Sequence, residues 1–229
     1  MRQFVFPHCP RAEAELRKIS DCGRLFAYPA KPVSQDCKVT ILDSGAFGFF
    51  EAGKRPGNEY FKKLSDHYER YADEKTICVA PDVVCDPMET MMRFDRWHRM
   101  GLYQGISPVI QPDNAHSINI ELYKYQINFY TTRFGIKTLL FSNWVSADIA
   151  IGLGIQQIIT FARTRGVEYI HMLGAGWNID DVRMWNTIDG ITSCDTIAYY
   201  TSGCKERFGS EDPAENARRI ICAIRGQST

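Results

Sequence analysis

Short apolar segments rich in β-branched residues recur along this chain, and each is followed by a stretch with helical spacing. The clear segments span residues 39–43, 76–82, 106–113, 137–143, 168–176 and 189–195. Candidate helices occupy residues 57–73, 87–100, 116–133, 147–165, 178–187 and 212–225. Strands that alternate with helices of this length form βαβ units and a parallel sheet. The alternation therefore indicates an α/β fold.

Two weaker strand candidates near the start, at 4–7 and 24–29, bring the number of strands close to eight. A (β/α)₈ barrel needs about 200 residues or more, and this chain has 229. An open, doubly wound sheet is the main alternative. We predict a compact (β/α)₈ TIM-type barrel that forms a single domain over residues 1–229, because no repeat or long linker divides the chain.

Composition and charge narrow the class of protein. Apolar residues make up 45% and charged residues 24%, the balance of a soluble globular protein. Acidic and basic residues number 27 each, which excludes a global attraction to nucleic acid but leaves a local basic groove open. No apolar run reaches the roughly 18 residues of a membrane span, and the N-terminus turns polar too soon for a secretory signal. We expect a cytoplasmic protein without a membrane partner.

The eight cysteines are scattered and form no CxxC pair. Zinc sites usually use closely spaced pairs, and secreted disulfide frameworks are denser and shorter. We therefore expect reduced thiols, no metal site and no cofactor.

Polar side chains stand where the predicted strands end, at Asp43, Asp82, Gln111, Asn143 and Asp195. One further strand ends in a glycine-containing turn at 173–176. Each polar residue alone has a plain reading as a helix cap or a turn. In a parallel barrel, however, all carboxyl ends open on one face and their side chains converge on the active site. Together these positions predict one shared pocket.

Five motifs at these strand ends resemble, in order, the core motifs of the tRNA-guanine transglycosylase superfamily. They are DSGAF (43–47), APD (80–82), VIQ (109–111), HMLGAG (171–176) and GITSCD (190–195). The resemblance spans residues about 39–200, and DSGAF is its most specific part. It implies a (β/α)₈ barrel that exchanges a guanine in nucleic acid for a 7-deazaguanine base.

The resemblance also implies the roles of individual residues. Asp195 would be the nucleophile and Asp43 the general acid and base of a double displacement, as in a retaining glycosidase with a base in place of water. The base-binding residues would be Ser44, Phe47, Asp82, Gln111, Asn143, Leu173 and Gly174. Among them, Phe47 and Leu173 would enclose the two faces of the base.

The chain departs from the family after Asp195. The C-terminal zinc cluster and the RNA-binding domains of many members have no counterpart here, and residues 196–209 carry few basic side chains. The retained core is most similar to the short DpdA-type relatives, which insert 7-deazaguanines into DNA in phage and bacterial genomes. DNA is therefore favoured over tRNA as the partner.

A guanine in a duplex is unreachable, so the base must be flipped out or single-stranded. The candidate backbone-binding residues are Lys54, Arg55, Arg93, Arg96, Lys205 and Arg207, with His98 and Arg99 beside the central pair. A solvated helix or loop face is the alternative for each cluster. The sequence leaves open whether a helicase-like accessory protein opens the duplex, which 7-deazaguanine is inserted, and the oligomeric state.

Three other functions remain as alternatives. The same chemistry could act on RNA, the chain could be a non-catalytic subunit that binds base or nucleic acid, or the barrel could serve an unrelated small molecule. The presence of both Asp43 and Asp195 favours an enzyme over a non-catalytic subunit.

Overall fold

The computed structural model describes residues 3–19, 22–32, 37–114, 118–142, 147–196 and 198–227. Within these ranges, nine strands form one sheet in which all pairs are parallel. The strands are β1 (Gln3–Pro7), β2 (Gly23–Ala27), β3 (Thr40–Asp43), β4 (Thr76–Val79), β5 (Ile106–Ser107), β6 (Val109–Ile110), β7 (Thr138–Ser142), β8 (Tyr169–Leu173) and β9 (Ser193–Asp195). Both weak strand candidates are thus real strands.

The strand order, β5-β4-β3-β2-β1-β9-β8-β7-β6, nearly closes the sheet on itself. Its two ends, β5 and β6, are separated only by Pro108, which has no N–H to donate to a ladder. Ser107 O accepts from Ala80 N at 2.8 Å, and Pro108 O accepts from Leu140 N at 3.1 Å. Residues 106–110 therefore bridge the two edges as one interrupted strand. This confirms the predicted TIM-type barrel.

The helices surround this sheet. They are α1 (Glu13–Leu16), α2 (Ala46–Glu51), α3 (Asn58–Tyr71), α4 (Pro87–Arg99), α5 (Ile120–Phe134), α6 (Ala147–Gly152), α7 (Ile155–Thr164), α8 (Ile179–Thr187), α9 (Cys204–Phe208) and α10 (Pro213–Arg225). The helix predicted at 147–165 is two helices, because Gly154 between them has a φ of 89°. The helices α1, α2 and α9 were not predicted, since one turn or so of helix is too short to show a periodic pattern.

Two apolar layers stabilise the barrel. Alternate residues of a strand point to opposite faces, so Val5 faces the interior while Phe4 and Phe6 pack against the outer helices. The interior layer consists of Val5, Leu25, Val39, Ile41, Val79, Val109 and Leu140. This layer fills the middle of the barrel, which leaves the space at the carboxyl ends of the strands for polar residues.

Among the helices of the described ranges, none combines the length and apolar character that a membrane crossing requires.

Candidate active site

A cavity of about 520 Å³ opens at the carboxyl ends of the strands. This volume lies in the usual range for small-molecule sites. Asp43, Asp82 and Asp195 all line it, although they are far apart in sequence. The parallel barrel brings them together because each stands at, or just beyond, the carboxyl end of its strand. The arrangement is compatible with an enzyme active site.

Asp43 is held by the turn that follows β3. The N–H of Gly45 donates to Asp43 Oδ2 at 3.0 Å, and α2 begins at the next residue. Gly45 has a φ of 73°, and a Cβ there would lie 2.9 Å from the carbonyl oxygen of Tyr28. Burial raises the pKa of Asp43 to about 6; the Gly45 hydrogen bond opposes this and the charge of Asp195 adds to it. The glycine therefore fixes a carboxyl that can change protonation near neutral pH.

Asp82 lies on the loop after β4 and is also held through hydrogen bonds. Gln111 Nε2 donates to Asp82 Oδ2 at 2.5 Å, and Ser44 Oγ donates to Asp82 Oδ1 at 3.4 Å. The pKa of Asp82 is raised to about 7. Burial is the largest cause, and the charge of nearby Asp43 contributes to the same rise. Two neighbouring carboxyls thus titrate near neutrality in one cavity.

Ser44 and Gln111 were predicted to contact the base, but both are fully buried and neither lines the cavity. The amide of Gln111 is engaged at both ends, because its Oε1 accepts from the N–H of Cys85 at 3.2 Å while its Nε2 donates to Asp82. Cys85 holds this orientation from a backbone with a φ of 55°. Both residues therefore lie behind Asp82 and position its carboxyl.

Asp195 ends β9 and is 4% exposed. Its Oδ1 accepts two hydrogen bonds, from Gly174 N at 3.0 Å and from His171 Nε2 at 2.9 Å. His171 Nδ1 lies 2.7 Å from Ser193 Oγ, which in turn lies 2.6 Å from the hydroxyl of Tyr169. These contacts follow from the register of β8 and β9, in which His171 pairs with Ser193.

Sequence reasoning missed His171, although it falls in one of the recognised motifs. The available signal was its position two residues before Leu173 in β8, since residues at that spacing share a face of a strand. A histidine on the inward face of an otherwise apolar strand requires buried polar partners. Those partners come from β9, which the sequence pattern alone does not pair with β8.

The walls of the cavity include flat and apolar side chains. Phe47 and Leu173 line it, as the resemblance implied, and so does Gly174, whose N–H is already used by Asp195. Trp177 lines it as well and was not predicted. Phe47 and Trp177 are 43% and 45% exposed, so part of each side chain is accessible from the cavity.

The predicted basic residues fall in different places. Arg207, on α9, lines the cavity, and its neighbour Lys205 is exposed and pairs with Glu211 at 3.5 Å. Lys54 and Arg55 are exposed just after α2, the helix that carries Phe47. Arg207 is thus the predicted cation that reaches the cavity.

The cluster on α4 is not placed to bind a nucleic-acid backbone at the cavity. Arg93 is buried and pairs with Glu89 at 2.9 Å, which corrects its prediction as a surface contact. Arg96 and Arg99 are exposed, but α4 runs from the carboxyl ends of the strands back towards their amino ends. Its last turn therefore lies at the opposite end of the barrel.

Asn143, the remaining residue predicted to bind the base, lies outside the described residues.

Over the ranges that the structure describes, no group of three or more His, Cys, Asp or Glu side chains is arranged to hold a metal ion. The eight cysteines all lie within the described residues, and none of them forms a disulfide.

Comparison with known proteins adds little about activity. No family model and no curated protein matches this sequence. Among solved structures, one entitled "Native KDPGal structure" aligns with 98% of this chain and 100% of its own, at 13% identity and a TM-score of 0.34. A similarity this low carries no conclusion about substrate or reaction.

Proposed function

We propose that this chain is a guanine transglycosylase that exchanges guanine in DNA for a 7-deazaguanine base through a covalent glycosyl-aspartyl intermediate. The observation that carries the proposal is the presence of Asp43 and Asp195 on the walls of one cavity, together with Phe47 and Leu173. These four residues are the ones that the resemblance assigns to the chemistry and to the two faces of the base.

The reaction consists of two displacements at the same sugar carbon. A carboxylate oxygen of Asp195 forms a bond to C1′ as the bond from C1′ to N9 of guanine breaks, and the bonding electrons stay with guanine. Guanine leaves after taking a proton. The incoming base then loses a proton, its nitrogen bonds to C1′, and the ester bond to Asp195 breaks. Two inversions retain the configuration and regenerate the carboxylate.

Asp43 is suited to handle both protons. A group that gives a proton in one step and takes one in the next works best with a pKa near the operating pH. Burial brings the pKa of Asp43 to about 6, within this range. Asp195 is held differently, because its Oδ1 accepts hydrogen bonds from His171 and Gly174 that fix the direction of the carboxylate. The two aspartates therefore have environments that fit different roles.

Asp82 supports selection of a guanine-like base. An ionised carboxylate can accept from the ring N–H and the exocyclic amine of guanine, while adenine would leave a buried carboxylate without these donors. Gln111 and Ser44 hold Asp82 from behind. Phe47 supplies a flat face for stacking the base.

Arg207 at the cavity supports binding of a phosphate that flanks the extruded nucleotide. The preference for DNA over tRNA rests on the likeness to the short DpdA-type relatives.

An exchange assay tests the proposal directly. Single-stranded DNA and tRNA are incubated in parallel with the protein and with labelled guanine or labelled 7-deazaguanines. We expect incorporation into DNA, and a denaturation-stable protein–DNA adduct that peptide mapping locates at Asp195. Asp195→Ala should abolish both, while Asp66→Ala, which changes an exposed aspartate of α3, should retain both. Full exchange by Asp195→Ala would contradict the mechanism, and incorporation into tRNA alone would reassign the substrate.

A further inference from the structure

We infer that His171 is a positioning residue that turns Asp195 so that its Oδ2 atom is the one that attacks C1′. This inference rests on the proposed function, because it concerns the nucleophile of that reaction. Both donors to Asp195, the imidazole of His171 and the N–H of Gly174, bind Oδ1. Within the described residues, Oδ2 accepts no hydrogen bond, and Asp195 lines the cavity. The carboxylate is therefore anchored through one oxygen and presents the other.

The contact with Asp195 assigns the donor on His171, because an ionised carboxylate can only accept a hydrogen bond. A neutral imidazole that donates from Nε2 must accept at Nδ1. Ser193 is the partner there, so its hydroxyl donates to His171 Nδ1 across 2.7 Å. The hydroxyl of Tyr169 then donates to Ser193 Oγ across 2.6 Å. Burial raises the pKa of Tyr169 to about 12, which keeps this first donor protonated. All donors along the chain point towards Asp195.

The same three residue types form the catalytic triad of serine hydrolases, but the geometry excludes that role. A nucleophilic serine must meet its substrate, with the histidine placed to take the serine proton. Ser193 is 1% exposed and does not line the cavity, whereas Asp195 does. The exposed end of this chain is the carboxylate. Ser193 and His171 therefore serve Asp195, and not the reverse.

Loss of the imidazole donor should affect the rate of attack and spare binding of the base. His171 is fully buried and does not line the cavity, so it makes no contact with a bound base. Without it, Asp195 keeps one anchoring hydrogen bond and can rotate, which misdirects Oδ2. A hydrogen bond to a charged group contributes enough to slow adduct formation by roughly 10- to 100-fold.

Three substitutions separate positioning from simple packing. A glutamine amide nitrogen reaches close to the position of histidine Nε2, whereas an asparagine amide reaches only that of Nδ1. We expect His171→Leu and His171→Asn to slow single-turnover adduct formation by the stated factor, and His171→Gln to restore most of the rate. The affinity for free 7-deazaguanine, measured by calorimetry, should change less than twofold in all three variants. Equal rates in His171→Leu and the wild type, or equal losses of rate and base affinity in all three variants, would overturn the inference.

Imidazole nitrogen NMR of the whole protein gives a readout that needs no activity and no variant of His171. We expect a neutral Nε2–H tautomer whose proton resonance shifts upfield in Asp195→Ala. A neutral Nδ1–H tautomer would overturn the inference even if the His171 variants fail to fold. If the wild type forms no adduct with nucleic acid, the proposed function fails. If the adduct forms at the same rate in the wild type and in the His171 variants, only the positioning role is refuted.

Discussion

Asp43 and Asp195 face the same cavity although two strands, β2 and β1, lie between β3 and β9 in the sheet. The closure of the barrel makes this possible, because the carboxyl ends of all strands curve around one opening. The two carboxyls interact, since the charge of Asp195 contributes to the raised pKa of Asp43. Their hydrogen-bond partners differ: Asp43 accepts from the N–H of Gly45, and Asp195 accepts from Gly174 and His171.

The raised pKa of Asp82 predicts a pH-dependent cost to stability. Its pKa rises from 3.8 to about 7 on folding, so the folded state binds more protons between these values and loses stability as the pH rises through them. Asp82→Asn removes this loss. We therefore compare the unfolding free energy of the variant with that of the wild type at pH 4 and at pH 8. From the lower to the higher pH, this difference should shift in favour of the variant by roughly 1–3 kcal/mol. Urea denaturation at both pH values measures it, with Asp66→Asn as the control; a gain that is the same at both pH values would contradict the prediction.

Gly45 should be required for the geometry of the Asp43 turn. Gly45→Ala places a Cβ 2.9 Å from Tyr28 O at a φ of 73°, so we expect a loss of about 1–3 kcal/mol of stability and a slower exchange reaction. Gly48→Ala is the matched control, since a Cβ at Gly48 in α2 meets nothing within 4 Å. Denaturant unfolding and the exchange assay compare the two. An equally mild effect of both substitutions would show that the turn tolerates a side chain.

Phe47 should contribute to base binding through stacking. Phe47→Ala is expected to weaken the affinity for guanine and 7-deazaguanines by about 1–3 kcal/mol, the usual contribution of a base stacked on an aromatic ring. Phe50 is a near neighbour of similar exposure, with ring centroids 6.2 Å apart, but it does not line the cavity. Calorimetric titration should therefore find little change for Phe50→Ala. Similar losses in both variants would point to a disrupted α2 rather than a lost stacking face.

Arg207 should bind the polymer and not the free base. Arg207→Ala is expected to weaken binding of single-stranded DNA and to reduce the slope of log affinity against log salt by about 1, the contribution of one phosphate contact. Arg96→Ala is the control, because Arg96 is exposed in the last turn of α4, at the end of the barrel opposite the cavity. Fluorescence anisotropy over a range of salt concentrations measures both. An unchanged slope in Arg207→Ala would remove Arg207 from the interface.

The alternation of apolar strands and helical segments was sufficient to predict the barrel, because burial on both faces of a parallel sheet leaves a clear local pattern. The same pattern placed Asp43 and Asp195 at strand ends. Helices of one or two turns, such as α2, carry no such periodicity and were missed. The sequence also did not predict that the strand segment at 106–113 is divided into β5 and β6 at Pro108, since both parts belong to one continuous strand-like segment.

The sequence by itself determined the fold class and which polar residues stand at the mouth of the barrel, because strand length and side-chain alternation are local properties. Only the tertiary structure decided which partners each of those side chains contacts. Gln111 and Ser44 face Asp82 instead of the cavity, Arg93 is buried against Glu89, and His171 reaches Asp195 from the neighbouring strand. Each of these contacts depends on register between segments distant in sequence, and no local pattern encodes that register.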